Sequence, residues 1–340
     1  MKLLTCILAK HIKPTSSRGV GSGCQLFASC LFACLMLASC IDEDLSRCGV
    51  NYSVEYVVRQ DMHAVLQDEI DRELTSPAEQ LVGARLDEEL SGVYSDIAHD
   101  LDLSFFDNHQ LALHQNVIVD ASSARLTVYM QRADYRNLAL ANLAQESTVT
   151  LDGASSDTGM AVNNLPADTI DSHVTGLFSA RMDMAVDNTD QTFRADLYML
   201  NSTAAIVIND QGLTPADVKA YVCDMAAGFA VNDSTYSFDR SPVVRTRSFT
   251  ESGHHCLYAT AMPSRDHSPD GNLWRMKVYV TMGGKVTESI LTVGEPLRAG
   301  DVKIIKAKLN PDGSISTDEP EVGVSVTLDW KPGGSHDVEM

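Results

Sequence analysis

A period-two alternation of apolar and polar side chains recurs along the chain and limits, more than any other feature, what it can fold into. Val50, Tyr52, Val54, Tyr56 and Val58 alternate with Asn51, Ser53 and Glu55; Leu101, Leu103 and Phe105 alternate with Asp102 and Ser104; Leu126, Val128 and Met130 alternate with Thr127, Tyr129 and Gln131. Neighbouring side chains on an extended backbone point to opposite faces, so each run predicts a strand with one buried face. Met276, Val278, Val280 and Met282 repeat the pattern before Gly283-Gly284, a hairpin signal, and Val302 to Leu309 runs into the turn Asn310-Pro311-Asp312-Gly313. The cleanest alternation is the last, Val322, Val324, Val326, Leu328 and Trp330, which is expected to be an internal core strand or else an exchangeable one. Short strands with frequent turns predict a mainly β protein of antiparallel β-sandwiches.

One stretch departs from this period. Leu66, Ile70 and Leu74, then Val82, Leu86, Leu90 and Tyr94, recur every four residues, and Ser76-Pro77-Ala78-Glu79 supplies an N-cap, a first-turn proline and a capping-box acid. This predicts a small helical insertion at about 64–95 that covers a sheet edge or face. Residues 151–172 read as a long polar loop, and Asp187 to Gln191 as a second polar patch ahead of a strand run from Phe193 to Ile208. With 340 residues, two domains are expected, 50–190 with the insertion and 191–340.

Residues 1–39 carry Lys2, Lys10, Lys13 and Arg18 with no acid, followed by an apolar run from Leu26 to Leu37. A run of about a dozen residues falls short of the roughly twenty that span a bilayer, so the segment reads as a signal peptide. It ends Leu37-Ala38-Ser39-Cys40, which resembles the lipobox of bacterial lipoproteins: cleavage between Ser39 and Cys40 would leave Cys40 first and carrying acyl chains such as palmitate. Several chains on one residue anchor a domain stably, each buried methylene contributing about 0.8 kcal/mol. Residues 40–49 then form a lipidated tether, and its acids Asp42-Glu43-Asp44 resemble the signal that carries Bacteroidales lipoproteins to the outer face of the cell outer membrane.

Without residues 1–39 the chain keeps 22 basic and 46 acidic residues, a net charge of −24, which excludes nucleic acid as a natural partner. Of the eight cysteines, Cys48, Cys223 and Cys256 remain beside Cys40. An oxidising envelope allows one disulfide, and Cys223 with Cys256 is the expected pair. His254-His255-Cys256 is the most ligand-like cluster, yet adjacent strand residues diverge and no metal is expected. Asp187 to Asp190 and Asp152-Gly153 lack the spaced acidic loop of a calcium site. Asp100 and Asp102 are read as solvent-facing acids, and no nucleophile, phosphate loop or cofactor motif stands in a persuasive context, so no catalysis is expected.

Several stretches together resemble the anchor and accessory lipoproteins of Bacteroidales type V fimbriae, the FimB-like and minor-fimbrium anchor proteins. They are Leu37 to Cys48 with its lipobox cysteine, acids and second cysteine; Glu73 to Glu79; Ala98 to Asp107; and Leu126 to Leu143 with Tyr135 and Ala141-Asn142. The resemblance implies two tandem transthyretin-like sandwiches and a non-enzymatic role in cell adhesion. Such a protein caps or anchors a fimbrium (pilus), joined to pilin subunits by strand addition, with the strand Val50 to Val58 kept in place. The alternative expectation is a surface lipoprotein that binds glycan or another small ligand, although only Trp274, Trp330 and ten tyrosines could supply stacking platforms.

Overall fold

The computed structural model describes residues 49–59, 61–163, 168–187, 191–269 and 271–331. The chain runs β1 (Val50–Val58), α1 (Met62–Glu73), α2 (Pro77–Leu90), β2 (Ala98–Asp107), β3 (Gln110–Ala121), β4 (Ser123–Met130) and β5 (Ala133–Ala141). It continues through β6 (Val149–Asp152), β7 (Met160–Asn163), β8 (Thr169–Asp171), β9 (Phe178–Val186), β10 (Thr192–Met199), β11 (Ser202–Asn209), β12 (Asp217–Cys223), β13 (Gly228–Ala230) and β14 (Thr235–Ser237). The remainder is β15 (Val243–Arg245), β16 (Arg247–Glu251), β17 (His254–Ala261), β18 (Trp274–Met282), β19 (Lys285–Val293), β20 (Val302–Leu309), β21 (Ile315–Ser316) and β22 (Val322–Thr327).

Seven strands in the order β3-β2-β5-β9-β10-β1-β4 make the first sandwich. β9 and β10 pair only through Tyr198 with Ser179 and Met199 with Phe178, so the sheet folds over at that link. The Tyr56 hydroxyl on β1 donates to Asn137 Oδ1 on β5 at 2.8 Å, across the core. Tyr52, Val54 and Tyr56 from one layer meet Leu101, Leu103 and Phe105 from the other, as the alternation predicts. The opposite face of β2 and β5, with Phe106, Leu138 and Leu140, is roofed by the small sheet β14-β13-β7-β6 through Val149, Ala161 and Phe229.

The second sandwich stacks β16-β17-β11-β20-β21 on β22-β19-β18-β12-β15-β8. Ala204, Ile206 and Leu257 from the first sheet interleave with Val222, Val278 and Leu291 from the second. The other face of the five-stranded sheet carries Ala205, Val207, Cys256, Tyr258 and Ile304, and here the two helices lie, with Leu66, Ile70, Val82 and Leu86 in the same cluster. Ser76 and Glu79 form the expected reciprocal capping box at the start of α2, with Pro77 in its first turn. The helical insertion therefore leaves the first sandwich and covers a face of the second.

Two expectations change. The run Phe193 to Ile208 is two strands in different sheets: β10 lies between β9 and β1, whereas β11 lies between β17 and β20. We therefore propose a domain division at Leu200-Asn201 in place of 190/191. The loop at 151–172 contains β7, β8 and the end of β6, too short to show a period; their partners β13 and β15 lie more than sixty residues on.

The junction is held by a buried polar knot. His173 Nε2 lies 3.1 Å from Asn163 Oδ1, and its Nδ1 lies 3.4 Å from Asn201 Nδ2, which also donates to the Thr175 carbonyl. Asn201 Oδ1 accepts from Leu177 N, and the Asn201 carbonyl accepts from Gly300 N. Burial holds the His173 pKa below its ordinary value, partly opposed by Glu146. As pH falls through about 6.5 the unfolded chain takes a proton there that the folded chain resists, so stability is lost below that value. Urea unfolding at roughly pH 7.5 and 5.5 should show a smaller acid loss for His173→Gln than for the unmodified chain.

Candidate interaction surfaces

The surfaces available for contact follow from which sheet edges and faces the fold leaves uncovered. β1, which follows residues 40–49, is not one of them. It pairs antiparallel with β4 over Val50 to Val57 and parallel with β10 over Ser53 to Val58. Its inward row Tyr52, Val54 and Tyr56 is at most 1% exposed. Arg59, just beyond its end, forms an ion pair with Asp196 at 2.7 Å.

The outer edge of β20 is closed by side chains. Ile304 N donates to Glu69 Oε1 on α1 at 3.2 Å, and Lys306 N donates to Glu319 Oε1 at 2.8 Å. Lys303 Nζ sits within 3.1 to 3.7 Å of Glu295, Glu319 and Glu321, and Arg72 pairs with Glu69 and Glu73. Burial raises the pKa of Glu69 and of Glu319, against the lowering pull of the amides and cations around them.

β22 is the reverse case, and here the expected core strand is corrected: among the described residues it is an edge strand paired only with β19. Val322 is 7% exposed, but Val324 is 37%, Val326 45% and Leu328 56% exposed. The facing sheet has run out at that point, since its edge strand β21 is only two residues long. Asp329 then turns the chain with φ 50°, and Trp330 folds onto the outer face of the sheet, its ring centroid 4.9 Å from that of Tyr279. Trp330 N donates to the Val286 carbonyl at 2.7 Å. Beneath it the Tyr279 hydroxyl donates to Glu288 Oε1 at 2.8 Å.

Most of the charged side chains in one open cleft are already paired with one another. This cleft, of about 490 Å³, holds Asp134, Tyr135 and Arg136 beside His109 and Asp157. Arg136 bridges Asp183 at 2.7 and 3.2 Å and Asn232 at 2.9 Å, and His109 Nδ1 lies 2.5 Å from Asp157. That bond to Arg136 lowers the Asp183 pKa.

Of the residues singled out in the sequence, Ser39, Cys40, Cys48 and Asn188 to Asp190 lie outside the described residues. Cys223 and Cys256 are both buried free thiols, which corrects the expected disulfide. Each faces away from the core between its sheets: Cys256 points to the helices and Cys223 shares the outer face of β12 with Tyr221, so the two thiols point apart. Burial pushes the Cys223 thiol up to about 11.

His254 and His255 alternate faces, with Nδ1 atoms at the Ser252 carbonyl and Thr250 Oγ1. Among the described residues no group of three or more His, Cys, Asp or Glu side chains could hold a metal ion. Asp100 and Asp102 are not solvent-facing: Asp100 is 9% exposed, its Oδ1 accepting from Ala144 N, and burial raises the Asp102 pKa although His114 lies 3.6 Å away. Trp274 is buried, and the exposed Tyr129 and Tyr198 stand at opposite ends of β1, where Asn51 pairs with Tyr129 and Val58 with Leu197. No described helix is long and apolar enough to cross a membrane.

A family model described as fimbrillin-A associated anchor proteins Mfa1 and Mfa2 matches residues 88–332. No curated protein matches the sequence. Among solved structures, a candidate adhesin from Bacteroides ovatus superposes with a TM-score of 0.52 at 10% identity, over 87% of this chain and 100% of that one. A candidate adhesin from Bacteroides thetaiotaomicron gives 0.51 at 11% identity, over 84% and 100%. A structure from the same organism, described as candidate polysaccharide-binding proteins, gives 0.50 at 12% identity, over 81% and 99%. At these identities the likeness is one of fold.

The carboxylate plug on β20 has a measurable signature. Glu69 binds its proton more tightly in the folded chain, so its ionisation penalises folding as pH rises from the ordinary carboxylate range through the raised value. Glu69→Gln keeps an acceptor for Ile304 N and removes that penalty; thermal unfolding should show it gaining on the unmodified chain as pH rises through that window. Glu69→Ala leaves the amide unpaired and should destabilise by about 1–3 kcal/mol.

Proposed function

The chain belongs to the family of fimbrillin-A associated anchor proteins, and from that membership we propose that it anchors or caps a fimbrium as a non-enzymatic lipoprotein of the cell outer membrane. Membership in this family associates the chain with cell-surface fimbriae and with a family of anchor proteins, not of enzymes. In the reading proposed, cleavage between Ser39 and Cys40 leaves Cys40 lipidated and surface-exposed, residues 40–49 tether the body, and pilin subunits join by strand addition.

One observation carries the reading: the strand that follows the tether is the central strand of its layer, held on both sides. A pull on the lipid enters the sheet along β1. The backbone hydrogen bonds to β4 and β10 lie across that direction, so they are loaded in shear and resist together. Taking β1 out would also uncover Tyr52, Val54 and Tyr56, side chains worth about 1.5–3 kcal/mol each when buried. A protein that must keep its lipid needs this strand in place. The glycan-binding alternative draws less support, because the exposed tyrosines are a strand's length apart and make no common platform.

The test is Cys40→Ala in cells that make fimbriae. The chain should leave the membrane fraction, fibres should be shed into the medium, and this chain should be found with them alongside pilin. Fibres that stay attached, with no pilin copurifying with the chain, would sink the proposal.

A further inference from the structure

We infer that the edge of β22, unpaired among the described residues, is the template on which the anchor receives an extended strand of the fimbrial subunit; this rests on the anchoring function proposed above and names its docking site. Exposed edges present unpaired amides and carbonyls, and proteins blunt them with brevity, charge, bulges or a cover. Every other sheet edge among the described residues shows such a device. β6, β8, β14 and β21 have two to four residues. β16 carries Arg247 and Glu251 and lies against α2. β4 carries Arg125, and β3 is irregular, with two register shifts against β2 and Asp120 at φ 49°. β20, where β21 ends, has its amides taken by Glu69 and Glu319.

β22 has none of these. Its six residues, Val-Gly-Val-Ser-Val-Thr, carry no charge and no proline, and its ladder with β19 runs unbroken from Val293–Val322 to Glu288–Thr327. The half-exposed Val324 and Val326 stand on the face that Leu291 and Ser289 turn toward the core, so an added strand would extend the apolar layer and cover them. The occupant that fits is an extended segment whose alternate side chains are apolar, pairing its backbone with β22. Because the anchor's net charge without residues 1–39 is −24, a strand with acidic flanks is disfavoured and one with neutral or basic flanks is favoured. Trp330 and the β19 ladder hold β22 where it is, which makes it an acceptor and not a donor that leaves its sheet.

The test uses the full chain in fimbriate cells in three forms: unmodified, Val324→Lys with Val326→Lys, and Ile290→Cys with Ser325→Cys. The last pair are register partners, so the cysteines staple β22 to β19. The lysine form should retain pilin about tenfold less well and shed fibres, with an unchanged melting temperature; the stapled form should retain pilin as the unmodified chain does. In a mutation-free measurement, amides 322–327 of the unmodified chain should gain protection from hydrogen exchange when isolated pilin is added. Normal retention by the lysine form, or pilin binding without added protection at 322–327, overturns the docking site while leaving the anchor function standing. Loss of pilin from the stapled form also overturns it, since β22 would then have to leave its sheet. If the unmodified chain binds no pilin at all, the anchor function fails and the docking site with it.

Discussion

The architecture depends on a few buried amides and one imidazole at the seam between the sandwiches. Asn201 sits where the chain passes from β10 in one sandwich to β11 in the other, and it ties that crossing to the segment around His173 and to Gly300. A buried backbone amide or carbonyl left without a partner costs about 1–3 kcal/mol, so the seam holds its shape only while these side chains reach it. The imidazole is useful because, kept neutral, it offers one donor and one acceptor, matched here to one asparagine oxygen and one asparagine nitrogen.

The seam fixes what the surface can offer. The helices, anchored by Tyr94 to the Asp301 carbonyl and by Glu89 to the Tyr258 hydroxyl, occupy a whole face of the second sandwich. Two carboxylates reach the amides of its β20 edge. What remains uncovered is narrow, and the contrast between plugged β20 and bare β22 is one of side-chain choice and not of sheet topology.

Much of this was legible in the residues. The alternation at Val50 to Val58, the hairpin at Gly283-Gly284 and the capping box at Ser76 each combine a period with a local turn or cap, and each forms as read. The misreadings share a cause: a period reports that one side of a strand is apolar, but not what lies over it. Val322 to Leu328 has the pattern of a core strand because it borders the core, although the facing sheet ends before reaching it. Asp100 and Asp102 look solvent-facing until the turn at Leu143–Gln145 meets the first and a third layer, built from strands too short to announce themselves, reaches the second. Cys223 and Cys256 are close enough in sequence to suggest a bridge, but the parity of each strand, knowable only once the sheets are assigned, turns the thiols apart.

The interleaving of distant segments also sets a timetable for folding. Strands β6 and β7 wait for β13, β8 waits for β15, and the apolar faces of residues 62–90 wait for a sheet completed only at Leu309. The seven strands of the first sandwich all lie before Leu200 and can close early, whereas the roof over β2 and β5 and the sheet beneath the helices come last, because contacts this far apart in sequence are slow to form.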